Sequence, residues 1–260
     1  MKITCLCENT SVDSSLNAEH GLSLFIETGE KKILFDMGQT DAFALNADKL
    51  SVDLADVDFA VLSHGHYDHG GGIAEFLRRN SKAKIYINSS AFGEHFNGAQ
   101  KYIGLDKSLA DNSRLVFCDS EISLSSDIQI CRCNKLICPI DSAGLNIFTD
   151  GEFLPDCFEH EHYLLITENG KRYLFSGCSH KGVLNIQDYF KPDVFIGGFH
   201  LSKLSVETDS DRLSAIANKL CAYDSVFYTA HCTGTEQFDL LKSIMSEKLY
   251  YLSTGSVTEL

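Results

Sequence analysis

Two stretches of this 260-residue chain repeat one plan. LSLFIETGEKKILFDMG (residues 22–38) and YLLITENGKRYLFSGC (residues 163–178) each read as two apolar strands around a short polar turn. Asn169-Gly170 is a strong hairpin dipeptide, because both residue types tolerate the positive φ that tight hairpin turns demand. Gly29-Glu30 takes the same place in the first copy. After each hairpin comes an apolar strand that ends at a histidine, VDFAVLSH at His64 and PDVFIGGFH at His200. Helical material follows: GGGIAEFLRR puts Ile73, Phe76 and Leu77 on one face, and TDSDRLSAIANKL does so with Leu213, Ile216, Ala217 and Leu220. The strands AKIYI and SVFYTAH close the two copies. The second ends at His231, before a helix whose start is read from Thr233-x-x-Glu236 as a capping box.

Hairpin, strand, helix and strand, twice over, predict an α/β (α+β) chain of two pseudo-symmetric halves. The sheets are expected to pack face to face with helices outside, as one domain over residues 1–260, and KITCLC reads as a strand leading the first half. His64, Cys178, His200 and His231 all fall at strand ends. If the strands run alike in both halves, those ends meet at one rim.

Charge and composition exclude several classes of function. A net charge of −14, from 22 basic and 36 acidic residues without a long basic run, argues against gripping a phosphate backbone. No apolar run is long enough to span a bilayer. The opening MKITCLCENTSVDSS turns polar at once, unlike a signal peptide, so a cytoplasmic location is expected. In that compartment most of the ten cysteines are expected to be reduced thiols. Cys131, Cys133 and Cys138 in ICRCNKLICP match no four-ligand zinc spacing, and their apolar alternation suits a strand.

The chemistry concentrates in LSHGHYDHGGG, residues 62–72. His64, His66, Asp68 and His69 are four ligand-type residues within six positions at a strand-to-helix switch. Histidines two apart on an extended segment can share one cation, and the aspartate and histidine of the next turn can reach a second. Three glycines then let the backbone turn and the next helix start close against the loop.

VLSHGHYDHGGG resembles the HxHxDH signature of the metallo-β-lactamase superfamily, whose αββα sandwich agrees with the twofold plan. The likeness extends, in order, through LCENT, AEHGLSLFIETG, KILFDMGQ, SGCSHKGVLN, GGFHL and AHCTG. Together these resemble its dihydropteroate-synthase-like branch of metal-dependent hydrolases, one of whose activities is that of a synthase joining a pterin to a ribofuranosyl-aminobenzene phosphate. The resemblance implies a dinuclear site for two divalent ions, zinc ahead of manganese or iron, held by His64, His66, Asp68, His69 and His231. Cys178 stands where the superfamily expects a bridging aspartate, and either Cys178 or His180, or both, would bind metal. His160 and His162 lie near a further superfamily histidine but are not expected to be ligands. His200 is a candidate for binding a substrate phosphate or for general acid work. Glu8, Asn9 and His20 fall in matching stretches without an assigned role, and His95 is expected at the surface of an insertion.

The implied activity is hydrolysis of a small, optionally phosphorylated ester or phosphodiester by a metal-activated hydroxide, with Asp68 as ligand and orienting group. Pterin transfer with C–N bond formation and iron redox chemistry are the alternatives, and a sensor without catalysis ranks behind them. A small-molecule substrate is the expected partner, without nucleic acid or membrane, and with a homodimer left open.

Overall fold

The computed structural model describes residues 1–29 and 31–260, so Glu30 of the first predicted turn lies outside the described residues. The chain divides into two compact units. Residues 1–120, 144–161 and 253–260 form the first; residues 121–143 and 162–252 form the second.

The first unit opens with β1 (Lys2–Cys7), β2 (Ser23–Thr28), β3 (Lys31–Phe35), β4 (Phe59–Val61) and β5 (Lys84–Ile87). The short β6 (His95–Asn97) and β7 (Lys101–Tyr102) precede β8 (Leu115–Phe117). The second unit begins with β9 (Ile122–Ser123) and β10 (Ile128–Cys131), after which β11 (Leu145–Thr149) and β12 (Glu152–Pro155) belong to the first unit again. Then come β13 (Tyr163–Glu168), β14 (Lys171–Ser176), β15 (Val194–Gly197), β16 (Val226–Thr229) and β17 (Leu249–Tyr251), and β18 (Val257–Glu259) finishes the first unit.

Each unit holds a seven-stranded mixed sheet with one internal logic. In the first, β18, β1, β2 and β3 are antiparallel neighbours, and β4, β5 and β8 continue from β3 in parallel. In the second, β9, β10, β13 and β14 are antiparallel, and β15, β16 and β17 continue from β14 in parallel. The two predicted hairpins match in register: Leu24 faces Phe35 and Ile26 faces Ile33, as Leu164 faces Phe175 and Ile166 faces Tyr173. In the second turn Asn169 (φ 53°) and Gly170 (φ 77°) both adopt the positive φ that the dipeptide predicts.

The helices cover these sheets with their apolar faces. In the first unit α1 (Ala42–Lys49), the single turn α2 (Tyr67–Gly70) and α3 (Ile73–Arg79) bring Phe43, Ile73 and Phe76 into a core with Leu6, Leu34 and Ile85. In the second, α4 (Val183–Phe190), α5 (Ser210–Cys221) and α6 (Thr235–Met245) bury Ile186, Leu213 and Leu241 against Leu174, Phe195 and Phe227. Each fully buried Leu or Ile contributes about 1.5–3 kcal/mol by leaving water. Among the described residues no helix is long and apolar enough to cross a membrane.

Four local expectations need correction. Helix α6 starts at Thr235 behind Gly234 rather than from a Thr233 capping box. The Thr233 hydroxyl instead accepts the Phe199 N–H at 2.9 Å, so a tertiary partner outcompetes the local cap. The strand read into VDFAVLSH is only three residues long, because Ser63 N–H leaves the ladder to donate to Asp36 at 2.7 Å. In ICRCNKLICP the strand stops at Cys131, and the Ile137 and Cys138 N–H groups donate to the Asn185 side chain at 2.8 Å each. Finally, β12, β11, β6 and β7 form a four-stranded sheet of their own, and β6 begins at a His95 that is fully buried rather than superficial.

Candidate metal centre

The loop leaving β4 folds its ligand-type side chains inward. His64 and His69 are fully buried, and His66 and Asp68 nearly so. The rings of His64 and His66 stand 4.6 Å apart between centroids, and those of His64 and His69 stand 4.2 Å apart. Close approach, not a left-handed turn, explains the glycines after the histidines. A Cβ on Gly72 would lie 2.1 Å from the Met37 carbonyl oxygen.

Asp36, directly after β3, organises this loop. Its carboxylate accepts the Ser63 N–H and hydroxyl at 2.7 Å each and holds His69 Nδ1 at 2.6 Å. Ser63 Oγ in turn lies 2.8 Å from His64 Nδ1. Ties on Nδ1 orient both rings so that Nε2 is the nitrogen that could serve as a ligand, the outer-shell arrangement that metal-binding histidines use. His69 Nε2 faces Asp68 Oδ2 at 3.9 Å, and His20 Nε2 approaches the same carboxylate oxygen at 3.2 Å.

A second layer surrounds His66. His66, His95, Asp156 and His160 bring ligand atoms within 4.8 Å of one another, all buried. Asp156 Oδ2 lies 3.0 Å from His95 Nδ1 and 3.2 Å from His160 Nε2, while His160 Nδ1 accepts the Gly65 N–H at 2.9 Å. With both nitrogens of His160 engaged, this network reads as support for the loop. Burial pushes the Asp156 carboxyl up, but hydrogen bonds from His160 and His95 outweigh it and hold the group well below the usual carboxylate range. Burial, reinforced by the neighbouring His160, holds His66 well below the ordinary imidazole range.

The second unit contributes its own donors. Cys178 and His180 follow β14, His200 follows β15 and His231 follows β16. Cys178, His180 and His231 are buried, and His200 is half-buried. Ligand atoms of Cys178, His200 and Cys232 lie within 4.8 Å of one another, and the rings of His180 and His200 stand 4.3 Å apart. Two neighbours account for the glycine pair in VFIGGFH: a Cβ on Gly197 would lie 1.9 Å from the Ser176 carbonyl oxygen, and one on Gly198 would lie 2.3 Å from the Cys232 Sγ. Burial opposes ionisation of Cys232, yet Cys178 and His200 beside it hold the thiol well below its ordinary range. Asp36, Ser179, His200 and His231 all carry left-handed backbone, with φ between 52° and 59°. Such strain costs about 1–3 kcal/mol per residue and persists where surrounding structure imposes it, typically at functional sites.

The donor sets fit a divalent cation. Outer-shell-tied imidazoles beside a carboxylate suit zinc, manganese or iron, and buried thiols add preference for the softer ions. Of the residues expected from the sequence, the first unit brings together His64, His66, Asp68 and His69, and the second brings together Cys178, His180 and His200 with the additional Cys232. Sequence reasoning missed Asp36, Ser63, His95, Asp156 and the reach of His20 to Asp68.

A family model described as the metallo-beta-lactamase superfamily matches residues 16–216. The chain belongs to this superfamily. Within the metallo-β-lactamase superfamily it is similar to Tm1679, whose crystal structure is described as a metal-dependent hydrolase. That likeness has 27% identity and a TM-score of 0.85, over 100% of this chain and 99% of that one. It is also 26% identical to 7,8-dihydropterin-6-methyl-4-(β-D-ribofuranosyl)-aminobenzene-5′-phosphate synthase of Methanocaldococcus jannaschii, over 99% of this chain and 96% of that protein. The metallo-β-lactamase fold protein YhfI of Bacillus subtilis shares the fold alone, at 14% identity and a TM-score of 0.60, over 100% of this chain and 98% of that one.

Proposed function

We propose that this protein is a metal-dependent hydrolase acting on a small ester or phosphodiester. The observation that carries the reading is the Asp36–His69–Asp68 line. A buried carboxylate holds His69 Nδ1 at 2.6 Å while Nε2 and the Asp68 carboxylate face each other at 3.9 Å. In this reading His64, His66, Asp68 and His69 are the metal-binding residues of the first unit, and Cys178, His180 and His231 are those of the second. A bound divalent cation supplies the Lewis acidity that makes water a nucleophile near neutral pH and polarises the scissile group.

The chain's own groups do the rest. Asp68 orients the attacking water beside His69, with His20 against the same carboxylate oxygen at 3.2 Å. His66, kept neutral by burial, offers a lone pair instead of competing as a cation. His200, half-buried on strained backbone, is the proton donor to the leaving oxygen. The near-complete alignment with Tm1679 supports hydrolysis.

The test is turnover of bis-p-nitrophenyl phosphate and p-nitrophenyl acetate by protein reconstituted with zinc, manganese or iron. Hydrolysis lost on chelation, and lost in Asp68→Ala, is expected; metal-independent turnover refutes the reading. The full-length likeness to the pterin synthase favours a second reading, transfer with C–N bond formation. In that case an aminobenzene acceptor adds to a pterin diphosphate with release of pyrophosphate, and product analysis separates transfer from hydrolysis.

A further inference from the structure

We infer that a cleft in the second unit is a binding pocket for a small organic anion, with an apolar body held inside and its charged group at the mouth. The cleft encloses about 310 Å³. That is near the lower end of the roughly 300–1,000 Å³ typical of small-molecule sites, too small to swallow a polymer. Val183, Leu184, Phe199, Leu201, Leu204 and Ile216 form its apolar lining, and Ser179, His180 and His200 also face it.

The mouth carries the charge. Lys203, Arg212 and Lys219 line it with a single carboxylate, Asp141, an excess of two positive charges in a chain whose net charge is −14. A negative molecule repels anions at a distance, so local cations at a low-dielectric cleft are what an anionic ligand requires. Their placement is systematic. Arg212, Ala215, Ile216 and Lys219 are spaced i, i+3, i+4 and i+7 along α5, one face of the helix, and all four line the cleft. Arg212 and Lys219 are the only basic residues of α5. Asp141 holds Arg212 at 2.9 Å, and Lys203 Nζ rests on the Ala143 carbonyl at 2.6 Å. These contacts tie Arg212 and Lys203 to residues that themselves line the cleft.

The walls are fixed before any ligand arrives. Buried Asn185 accepts the Ile137 and Cys138 N–H groups at 2.8 Å each and donates to the Cys138 carbonyl at 3.0 Å. On the other side Gln237 Nε2 donates to the Leu204 carbonyl at 2.6 Å. Preformed walls lower the ordering cost of binding. The pocket deepens the hydrolase reading by naming its substrate class, an aryl or alkyl anion, and rests on that reading only for the chemical step after binding.

The experiment titrates the full-length, metal-loaded protein with 1-naphthalenesulfonate, 1-naphthylphosphonate, 1-naphthoate and the neutral 1-naphthalenemethanol. Calorimetry and naphthyl fluorescence report binding, the latter excited on the red side of tyrosine absorption in a chain that has no tryptophan. One anion per chain is expected. Lys203→Gln/Lys219→Gln should weaken the sulfonate roughly ten-fold, and the Arg/Arg pair at the same positions should restore it. The neutral alcohol should be indifferent to these changes. Whichever of phosphonate and carboxylate loses more affinity in the double variant names the anion. Equal binding of the sulfonate by wild type and double variant, or a neutral alcohol that binds as tightly as the anions, overturns the proposal. Ester turnover is measured in parallel, so a protein that hydrolyses but fails these titrations loses the pocket and keeps the hydrolase.

Discussion

Asp36 Oδ2 lies 2.6 Å from His69 Nδ1, and both side chains are fully buried. One carboxylate thereby sets the ring of the last histidine in the loop and, through Ser63, that of the first. Asp36→Asn keeps the volume but turns one acceptor into a donor against Ser63 or His69. Zinc affinity, read by competition with a chromogenic chelator, is expected to fall about 10–100-fold. Unchanged affinity would remove Asp36 from the metal-organising role.

His95 separates a surface reading from a buried one. Its substitution by Ala should cost about 1–3 kcal/mol in urea unfolding, because it removes one of the two imidazoles that hold the buried Asp156 carboxylate. The double variant with Asp156→Ala should recover part of that loss. A cost within about 0.5 kcal/mol is what an exposed residue would show.

Asp156 also predicts a pH dependence. Burial raises its carboxyl, but the two imidazoles lower it further, so the folded value lies below the unfolded value of about 3.9. Between those values the unfolded chain binds more protons than the folded one. The stabilisation is therefore complete above about pH 3.9 and is lost as pH falls toward the folded value. Asp156→Asn should flatten this part of the acid-unfolding curve; an unchanged slope would contradict the assignment.

Gly198 and Cys232 form a steric pair. Gly198→Ala places a Cβ 2.3 Å from Cys232 Sγ and should destabilise by about 1–3 kcal/mol, with partial rescue by Cys232→Ala. Simple additivity in that double-mutant cycle would rule out the contact.

Metal should stabilise the fold by mass action. Zinc at one hundred times its Kd is expected to add about 2.7 kcal/mol, reversed by a chelator. Of Cys178→Ala and His180→Ala, the variant that loses bound zinc by elemental analysis identifies the ligand. Retention of full stoichiometry by both would exclude the pair.

Much of the fold was readable because it rests on local pattern. Alternating apolar residues and the Asn169-Gly170 turn fix hairpin register within a few residues, and i, i+3, i+4 spacing fixes the faces of α3 and α5. The ligand-rich loop was legible for the same reason, since His64, His66, Asp68 and His69 are close in sequence. Thr233 misled because its hydroxyl had a distant partner in Phe199, which no local rule could supply.

The sequence by itself determined the twofold strand plan, the glycine-rich turn after the histidines and the residue types able to hold a cation. Tertiary structure alone decided which carboxylates serve them. Asp36 precedes His69 by 33 positions and Asp156 follows His95 by 61, so no window along the chain contains either pair. Burial makes those pairs matter: away from water a carboxylate must find its donor, and the sheet register brings that donor within reach.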